Sequence, residues 1–273
     1  MPASSAGLRL TALDIARAIE RCEVAGILAC VESAARIAPE IGCETIALAG
    51  GIAAFVGVDA PLSQALALGM EALVTEGDVE RLTEFYERRG STPAIILNPL
   101  ADPALGPLLA KAGYVPVEYE STLFAELDSV KGMRDDRIAV ARDLRAWSQH
   151  SARSFFNAAD GELLAPGLAL VGEAIASARD VTPLEGRDPN ENVVATGAMD
   201  VQGEWAGLFA SSTHVAFRKQ GWQTALIRDR IARAQEAGCR YARASALAGS
   251  GSEENFRRCG FRVAYTRTTW QRK

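Results

Sequence analysis

The segment from His214 to Thr224, His-Val-Ala-Phe-Arg-Lys-Gln-Gly-Trp-Gln-Thr, has the residue types of an anion-binding loop. It joins a strand-like stretch ending near Thr213 to a helical pattern that begins near Gly221. The first amides of a helix have no partner within the helix and lie at the positive end of its dipole, so they can bind phosphate oxygens. Gly221 lets the backbone approach an anion closely, and Arg218 and Lys219 add positive charge. The loop is therefore predicted to bind a phosphorylated ligand.

The charge distribution of the chain favours a compact ligand with several phosphates. The 273 residues carry a net charge of −5, but residues 218–273 carry +9, whereas residues 1–136 and 137–217 carry −10 and −4. The acidic majority of the chain would repel the long phosphate backbone of a nucleic acid, so we expect no nucleic-acid partner. An ordinary strand-to-helix turn is the alternative interpretation of the loop, because it has neither a P-loop motif nor the glycine pattern of a dinucleotide-binding loop.

The composition is typical of a folded, water-soluble protein without a metal centre. Hydrophobic residues make up 48% and charged residues 23% of the chain, and the best candidate for a membrane span, Thr45–Val58, is too short. The first residues have no basic segment followed by an apolar one, so no secretory signal is expected. The five cysteines include no Cys-x-x-Cys pair, and with His150 and His214 they predict neither a zinc site nor a disulfide framework. We therefore expect a cytoplasmic protein with no metal and no membrane partner.

An internal repeat relates residues 79–124 to residues 226–270. Each segment predicts a helix that ends at a glycine, a short strand, a loop, a second short helix, and a glycine-aromatic pair leading into a strand. The helix-ending glycines are Gly90 and Gly238, and the pairs are Gly113-Tyr114 and Gly260-Phe261. Chance similarity is the alternative, but the agreement in order and spacing favours two structural copies with a boundary in the polar segment Asp128–Asp136.

The remaining sequence gives a coarse secondary structure around these copies. Thr11 and Asp14 are typical of a helix start. The predicted strands cover residues 46–58, 64–73, 137–141, 193–201 and 205–213, and the further helices run to residue 156, over 163–178 and over 221–237. The stretch 182–192, rich in Pro, Gly, Asp and Asn, is predicted to be a loop. The anion-binding loop thus lies between a strand and a helix of the second half.

The loop and its surroundings resemble the GNAT superfamily of acetyltransferases. The run Arg218-Lys-Gln-Gly-Trp-Gln-Thr-Ala-Leu226 is similar to the superfamily's acyl-CoA loop, Arg/Gln-x-x-Gly-x-Gly/Ala, and to the leucine-bearing helix that follows it. The run Ser252-Glu-Glu-Asn-Phe-Arg-Arg-Cys-Gly-Phe261 is similar to its second landmark, a short helix that ends in Gly-Phe before the last strands. The resemblance covers about residues 137–270 and departs from the pattern at Gln223, where the superfamily has Gly or Ala.

The resemblance implies an α/β (α+β) fold of two GNAT-like domains, each a mixed, largely antiparallel twisted sheet flanked by helices. Residues 131–273 would form the acyl-CoA-binding GNAT domain, and residues 1–130 a degenerate GNAT-like domain without a cofactor loop. The corresponding upstream loop, near residues 70–76, has no glycine and no arginine, and its two carboxylates would repel phosphate. The first half is therefore expected to complete the fold and to build one wall of the acceptor site.

Coenzyme A, with acetyl-CoA as the donor and without a metal, is the cofactor that the resemblance implies. In the superfamily the loop amides hold the pyrophosphate, so they would do so here with help from the Arg218 side chain, and the strand edge at Thr213 and Val215 would pair with the pantetheine arm. The predicted cofactor-binding residues are Thr213, Val215, Arg218, Lys219, Gln220, Gly221, Trp222, Gln223, Thr224 and Asn255. For Trp222, packing on the neighbouring strand is the alternative to covering the cofactor.

Acyl transfer from a thioester to an amine needs a neutral amine, a polarised carbonyl and an acid for the departing thiolate. The superfamily often supplies the acid as a tyrosine four residues before the glycine of Gly-Phe, but Phe256 occupies that position and has no proton to give. Tyr265 is the nearest phenol, with a structural role as the alternative. Glu204 and His214, at the start and the end of the central strand, are the candidate bases; the alternatives are solvation, backbone capping and a water relay.

The sequence and the resemblance together predict an N-acyltransferase that moves an acetyl group from coenzyme A to an amine of a small molecule. A non-catalytic acyl-CoA-binding sensor or structural module is one alternative, since Phe256 replaces the tyrosine. An acetyltransferase acting on a protein amine is another, because the acidic first half could attract a basic partner. A nucleic-acid binder using the basic C-terminal region is the third. The protein is expected to be a monomer or a homodimer.

Overall fold

The structure is a computed structural model that describes residues 10–156 and 166–272, which contain both helices and strands. The helices are α1 (Ala12–Ile37), α2 (Glu76–Glu87), α3 (Leu105–Lys111), α4 (Leu144–Phe156), α5 (Pro166–Ala176), α6 (Trp222–Glu236) and α7 (Gly251–Arg258). The strands are β1 (Glu44–Leu48), β2 (Gly51–Phe55), β3 (Ala65–Leu66), β4 (Ala94–Leu97), β5 (Tyr114–Glu126), β6 (Ile138–Val140), β7 (Val181–Arg187), β8 (Val193–Gln202), β9 (Trp205–Thr213), β10 (Tyr241–Leu247) and β11 (Arg262–Arg272). The N-terminal residues used for the signal prediction, and the start of the helix predicted over 163–178, lie outside the described residues.

All of these strands form one continuous sheet in the order β1-β2-β3-β4-β11-β5-β10-β9-β8-β7-β6. The pairs β3–β4 and β9–β10 are parallel, and the other pairs are antiparallel. The final strand, β11, lies between β4 and β5, whereas β5 lies between β11 and β10. Each half of the chain therefore completes its part of the sheet with the last strand of the other half.

The internal repeat predicted from the sequence is confirmed by the order of elements. The first copy contributes α2, β4, α3 and β5, and the second contributes α6, β10, α7 and β11 in the same order. The glycines that end the helices have positive φ in both copies, +63° and +85° at Gly90 and Gly113, and +77° and +93° at Gly238 and Gly260. A left-handed residue after a helix is a conformation that glycine adopts without strain.

The long helix α1 packs across the middle of the sheet, where the two halves meet. It begins with a capping box in which Thr11 and Asp14 exchange hydrogen bonds, as predicted. Ile19 packs in a cluster with Phe124 of β5 and residues of β11, and Ile27 packs in a cluster with residues of β2 and α5. This position brings Glu20 of α1 to Tyr265 of β11 and Glu23 of α1 to Arg243 of β10.

Three sequence predictions of secondary structure are wrong. The stretch 46–58, predicted to be one strand, forms the antiparallel hairpin of β1 and β2, which turns at Ala49 (φ +46°) and Gly50 (φ +78°). In the stretch 64–73, which was predicted to be a strand, β3 covers two residues before the chain turns at Ala67 (φ +60°) and Gly69 (φ +74°). The segment is apolar because its turn is buried, and hydrophobicity alone does not distinguish a buried turn from a strand. Residues 182–192, predicted to be a loop, begin with most of β7. The glycine at position 186 does not mark a loop. It lies within the strand where the Trp222 ring packs closely, and a Cβ there would be 3.1 Å from that ring.

Candidate active site

The N-terminus of α6 has the exposed backbone that the sequence predicted. Gly221 precedes the helix with φ +83°, and a Cβ at this position would meet no atom within 4 Å. No side chain caps this helix start, and the first main-chain bond runs from the Ala225 amide to the Gly221 carbonyl at 2.9 Å. The preceding amides of the first turn therefore have no partner within the helix and are available to an anion.

A cavity of about 550 Å³ lies against this helix start. Of the residues predicted to bind the cofactor, eight line it: Thr213, Arg218, Lys219, Gly221, Trp222, Gln223, Thr224 and Asn255. The Thr213 hydroxyl is buried and has no hydrogen-bond partner in the described residues. The structure places the other two predicted residues outside the lining. Val215 lies in a 3-10 turn after β9 rather than on a strand edge, and the Gln220 amide donates to the Ala216 carbonyl at 3.1 Å.

The loop is held against α4 by its arginine. The Arg218 guanidinium donates to the Thr213 carbonyl through Nε and to the Ser154 carbonyl through Nη2, both at 3.1 Å. Lys219 is exposed and has a positive φ of +61°. The Trp222 ring is buried against β7, with the Arg137 guanidinium 4.5 Å from its centre, so the packing alternative describes this side chain.

The corresponding helix of the first half lacks an exposed start. Thr75 caps α2, and the Asp78 carboxylate accepts from the Thr75 amide in a capping box. Asp102 also accepts a 2.7 Å bond from the Val74 amide. Side-chain oxygens therefore accept hydrogen bonds from the backbone amides of this turn. The carboxylates of Glu76, Asp78 and Asp102 also make the turn acidic. That the first copy binds no cofactor stays a prediction.

A second cavity, of about 850 Å³, adjoins the first. The two share the lining residues Phe155, Ser211 and Ser252. The parallel strands β9 and β10 pair as far as Gly207 and Arg243, and the residues that follow on both strands line the larger cavity. A slot between the two strands thus connects the helix start to a space large enough for a small-molecule ligand.

The wall of the larger cavity carries an ion-pair network built from both halves of the chain. Arg243 of β10 pairs with Asp200 of β8 at 2.8 Å and with Glu23 of α1. Arg267 of β11 pairs with Glu23 at 3.6 Å and with Glu120 of β5 at 3.0 Å. Both guanidinium groups are buried and each is bonded to two carboxylates. They therefore leave little positive charge for an anionic ligand.

Two further carboxylates, Glu118 and Asp59, line this cavity without an arginine partner. Asp59 accepts from the Thr92 amide at 2.8 Å. Glu118 accepts no hydrogen bond and forms no ion pair with any residue in the described part of the chain. Partial burial, together with the neighbouring carboxylate of Glu120, raises the pKa of Glu118 above its ordinary value. Five carboxylates and two guanidinium groups line the cavity, which makes it acidic.

The three candidate catalytic residues from the sequence do not line either cavity. Glu204 lies in the turn before β9, at the opposite end of the strand from the helix start, and pairs with Arg240 at 3.1 Å. The His214 ring accepts from the Ala216 amide at 3.4 Å. Tyr265 donates from its buried hydroxyl to Glu20 at 3.0 Å, and burial, with Glu20 beside it, raises its pKa well above the ordinary value. The structure brings none of the three to the slot.

Other residues, not predicted from the sequence, line the junction of the cavities and the wall of the larger one. Ser252 lies where the two cavities meet, one helical turn before Phe256, whose ring also lines the larger cavity. Glu118 and Glu120 lie two apart on β5 and so share one face of the sheet. The Glu-x-Glu pattern in a strand was the available signal. This pattern did not identify the site, because no local feature of the sequence indicates that β5 lies beside β10 in the fold.

The comparison with known proteins identifies the fold. No family model and no curated protein matches the chain by sequence. A GCN5-related N-acetyltransferase from Kribbella flavida superposes with a TM-score of 0.62 at 17% identity, covering 89% of this chain and 95% of that one. A putative GNAT acetyltransferase from Novosphingobium aromaticivorans gives 0.56 at 16%, covering 89% and 96%. A tandem GNAT protein from the clavulanic acid biosynthesis pathway gives 0.54 at 14%, covering 81% and 77%.

These similarities show that the chain has the fold of the GCN5-related N-acetyltransferases, the GNAT superfamily. They confirm the predicted resemblance and the predicted α/β fold class. None of the helices among the described residues is long and apolar enough to cross a membrane. Within residues 10–156 and 166–272, no three metal-ligating side chains are grouped to hold an ion.

Proposed function

We propose that the protein is an N-acyltransferase that transfers an acetyl group from coenzyme A to a small amine. The observation that carries this proposal is the connection between the two cavities at Phe155, Ser211 and Ser252. One cavity lies at an uncapped helix start suited to phosphate, and the other is an acidic space suited to a basic ligand. A donor bound at the first can extend its acyl end through the slot between β9 and β10 into the second.

The residues around the helix start fit coenzyme A. The open space at Gly221, the free amides of the first turn of α6 and the basic side chains of the loop suit a diphosphate. Bound acetyl-CoA would supply the acetyl group in an activated form, as a thioester.

The acidic cavity supplies groups for the acceptor. An ammonium acceptor would first lose one proton to a base such as water. The amine nitrogen would then form a bond to the acetyl carbon while the carbon–sulfur bond breaks, and the nitrogen would release a second proton as the sulfur takes one up. The Glu118 carboxylate, which has no ion-pair partner in the described part of the chain, would attract a second positive charge on the acceptor. The Ser252 hydroxyl, at the junction of the cavities, is placed to donate toward the sulfur. Phe256 has no proton to transfer and forms part of the wall of the larger cavity.

The decisive experiment measures thiol release from acetyl-CoA in the presence of an amine panel. The panel contains monoamines, diamines and lysine-containing peptides, and the acetylated product is identified by mass spectrometry. We expect amine-dependent release of thiol with small cationic amines. Binding of acetyl-CoA without release of thiol for any amine would favour the sensor function. That alternative is suggested by Phe256, which replaces the tyrosine that often acts as the acid. Acetylation of the peptides in preference to small amines would favour a protein acceptor, and absence of coenzyme A binding would contradict the proposal altogether.

Glu118→Gln is expected to raise KM for a diamine about fivefold, because an ion pair near the surface contributes up to about 1 kcal/mol. The measurement compares 1,4-diaminobutane with butylamine, since the second lacks the additional positive charge. The KM of the wild-type enzyme for the diamine should also rise as pH falls through the raised pKa of Glu118, because the protonated carboxyl no longer attracts a cation.

The matched control is Glu126→Gln, on the same strand but paired with Arg262 outside the cavity. It should leave both KM values unchanged. An equal change in KM for the two amines in Glu118→Gln would contradict the assignment of this carboxylate to cation binding.

A further inference from the structure

The helix α1 contains a glycine, Gly26, near its middle. Glycine destabilises the interior of a helix relative to alanine, so a glycine there usually has a packing or a functional reason. Gly172 of α5 has a packing reason, because a Cβ there would lie 2.3 Å from the Ser148 hydroxyl oxygen of α4. At Gly26 the nearest atom of the described residues would be Oδ2 of Asp200, at 3.6 Å, which is an ordinary contact distance. Close packing therefore does not explain Gly26.

Gly26 lies on the face of α1 that borders the larger cavity. It lines this cavity, and so do Glu23, one turn before it, and Cys30, one turn after it. Residues three and four apart are neighbours on the surface of a helix, so the three positions share one face. A side chain at position 26 would therefore take up part of the cavity, and the glycine leaves that volume open.

The part of the cavity beside Gly26 is apolar, and we call it the apolar recess. Besides Gly26, its walls are Cys30 of α1, Leu62 of the segment between β2 and β3, Ile175 of α5 and Val181 of β7. Cys30 is buried in one cluster with the other three side chains, which are only half-buried. Apolar side chains that the protein covers only in part favour an apolar ligand group.

The charged residue beside the recess already has its partners. Asp200 of β8 lies directly opposite Val181 of β7, so both side chains are on the same face of the sheet. Oδ1 of Asp200 accepts a 2.7 Å bond from the Gly207 amide, and Oδ2 pairs with Arg243 at 2.8 Å. Because its carboxylate is compensated in this way, the recess is suited to an apolar group rather than to a second cation.

We propose that Gly26 is a specificity-determining residue, whose missing side chain opens the apolar recess to an aliphatic or aromatic group of the acceptor amine. The inference rests on the proposed function, because it assumes that the acceptor binds in the larger cavity. It concerns a different part of the acceptor from the positive charge assigned to Glu118, which lies on β5. The substrate class that it selects is an amine with an apolar substituent.

The test compares two acceptors, butylamine and 4-phenylbutylamine, which carry the same single charge and differ by a phenyl group. In the wild-type protein kcat/KM should be at least about fivefold higher for 4-phenylbutylamine, because the recess removes the phenyl group from water. In Gly26→Leu the new side chain should fill the recess, and the ratio of the two kcat/KM values should fall below about twofold. Calorimetric titration of each amine in the presence of coenzyme A measures the same difference without turnover.

Two further variants separate specificity from stability. Gly26→Ala adds a Cβ for which there is space, and alanine favours a helix, so the midpoint of thermal unfolding should not fall. Its preference for 4-phenylbutylamine should lie between those of the wild-type protein and Gly26→Leu, and this variant decides the question if Gly26→Leu does not fold. The matched control is Gly77→Leu in the first turn of α2, which lines neither cavity and should keep the full preference.

A wild-type protein that uses and binds the two amines equally would overturn the inference. Retention of the wild-type preference in both Gly26→Ala and a folded Gly26→Leu would also overturn it. Failure of the wild-type protein to bind coenzyme A, with no thiol release for either amine, would instead contradict the proposed function.

Discussion

Replacement of Gly221 by aspartate is expected to weaken the binding of coenzyme A at least tenfold while leaving the fold intact. The φ of +83° costs a residue with a side chain about 1–2 kcal/mol, and the new carboxylate would lie at the amides that are proposed to hold the diphosphate. Since no atom lies within 4 Å of the added Cβ, the substitution creates no steric overlap in the protein itself. Titration with coenzyme A, together with a thermal unfolding curve, measures the two effects separately.

The matched control for this substitution is Gly221→Asn. Asparagine tolerates the left-handed conformation better than most residues and has nearly the shape of aspartate without its charge. The affinity of Gly221→Asn should therefore lie between that of the wild-type protein and that of Gly221→Asp, and the difference between the two variants should decrease at high salt. Equal affinities in all three proteins would show that coenzyme A binds elsewhere.

The part of the site predicted from the sequence is the part made by consecutive residues. The exposed start of α6 follows from a basic loop with a glycine before a helical pattern, and eight of the ten predicted cofactor-binding residues line the cavity found there. The repeat of helix, strand, helix and strand is local in the same sense. Each of these features depends on interactions between residues close in the sequence, which is what periodicity and capping patterns record.

The acceptor side of the site depends on contacts that join distant parts of the chain. Glu23 and Arg243 are 220 residues apart, and Arg267 and Glu120 are 147 apart, yet both pairs lie on the wall of one cavity. They meet because β5 and β11 each join the other half's part of the sheet, an exchange that no local pattern in the sequence indicates. Glu204 and His214, chosen for their positions at the two ends of β9, lie in the turns just outside that strand and line neither cavity.

Arg243→Met is expected to lower the free energy of unfolding by about 3–5 kcal/mol, the usual cost of removing one partner of a buried ion pair. Arg243 is 5% exposed and lies between Glu23 and Asp200, so the variant leaves two buried carboxylates without this counter-charge. The measurement is chemical denaturation at about pH 7. The deficit should become smaller toward about pH 4.5, because the pKa of Asp200, which loses its arginine, and that of Glu23, which keeps only Arg267, rise in the variant and protonation then removes their charge.

Two companion variants show whether the uncompensated charge causes this loss. Arg240→Met removes an exposed arginine just before the same strand, where it pairs with the exposed Glu204, and should leave the unfolding midpoint nearly unchanged. Combining Arg243→Met with Glu23→Gln and Asp200→Asn removes the arginine together with both carboxylates, and should recover most of the lost stability. If Arg243→Met were as stable as the wild-type protein, the ion pairs between α1 and the central strands would not hold the two halves together. The packing of Ile19 and Ile27 and the exchanged strands would then have to account for their association.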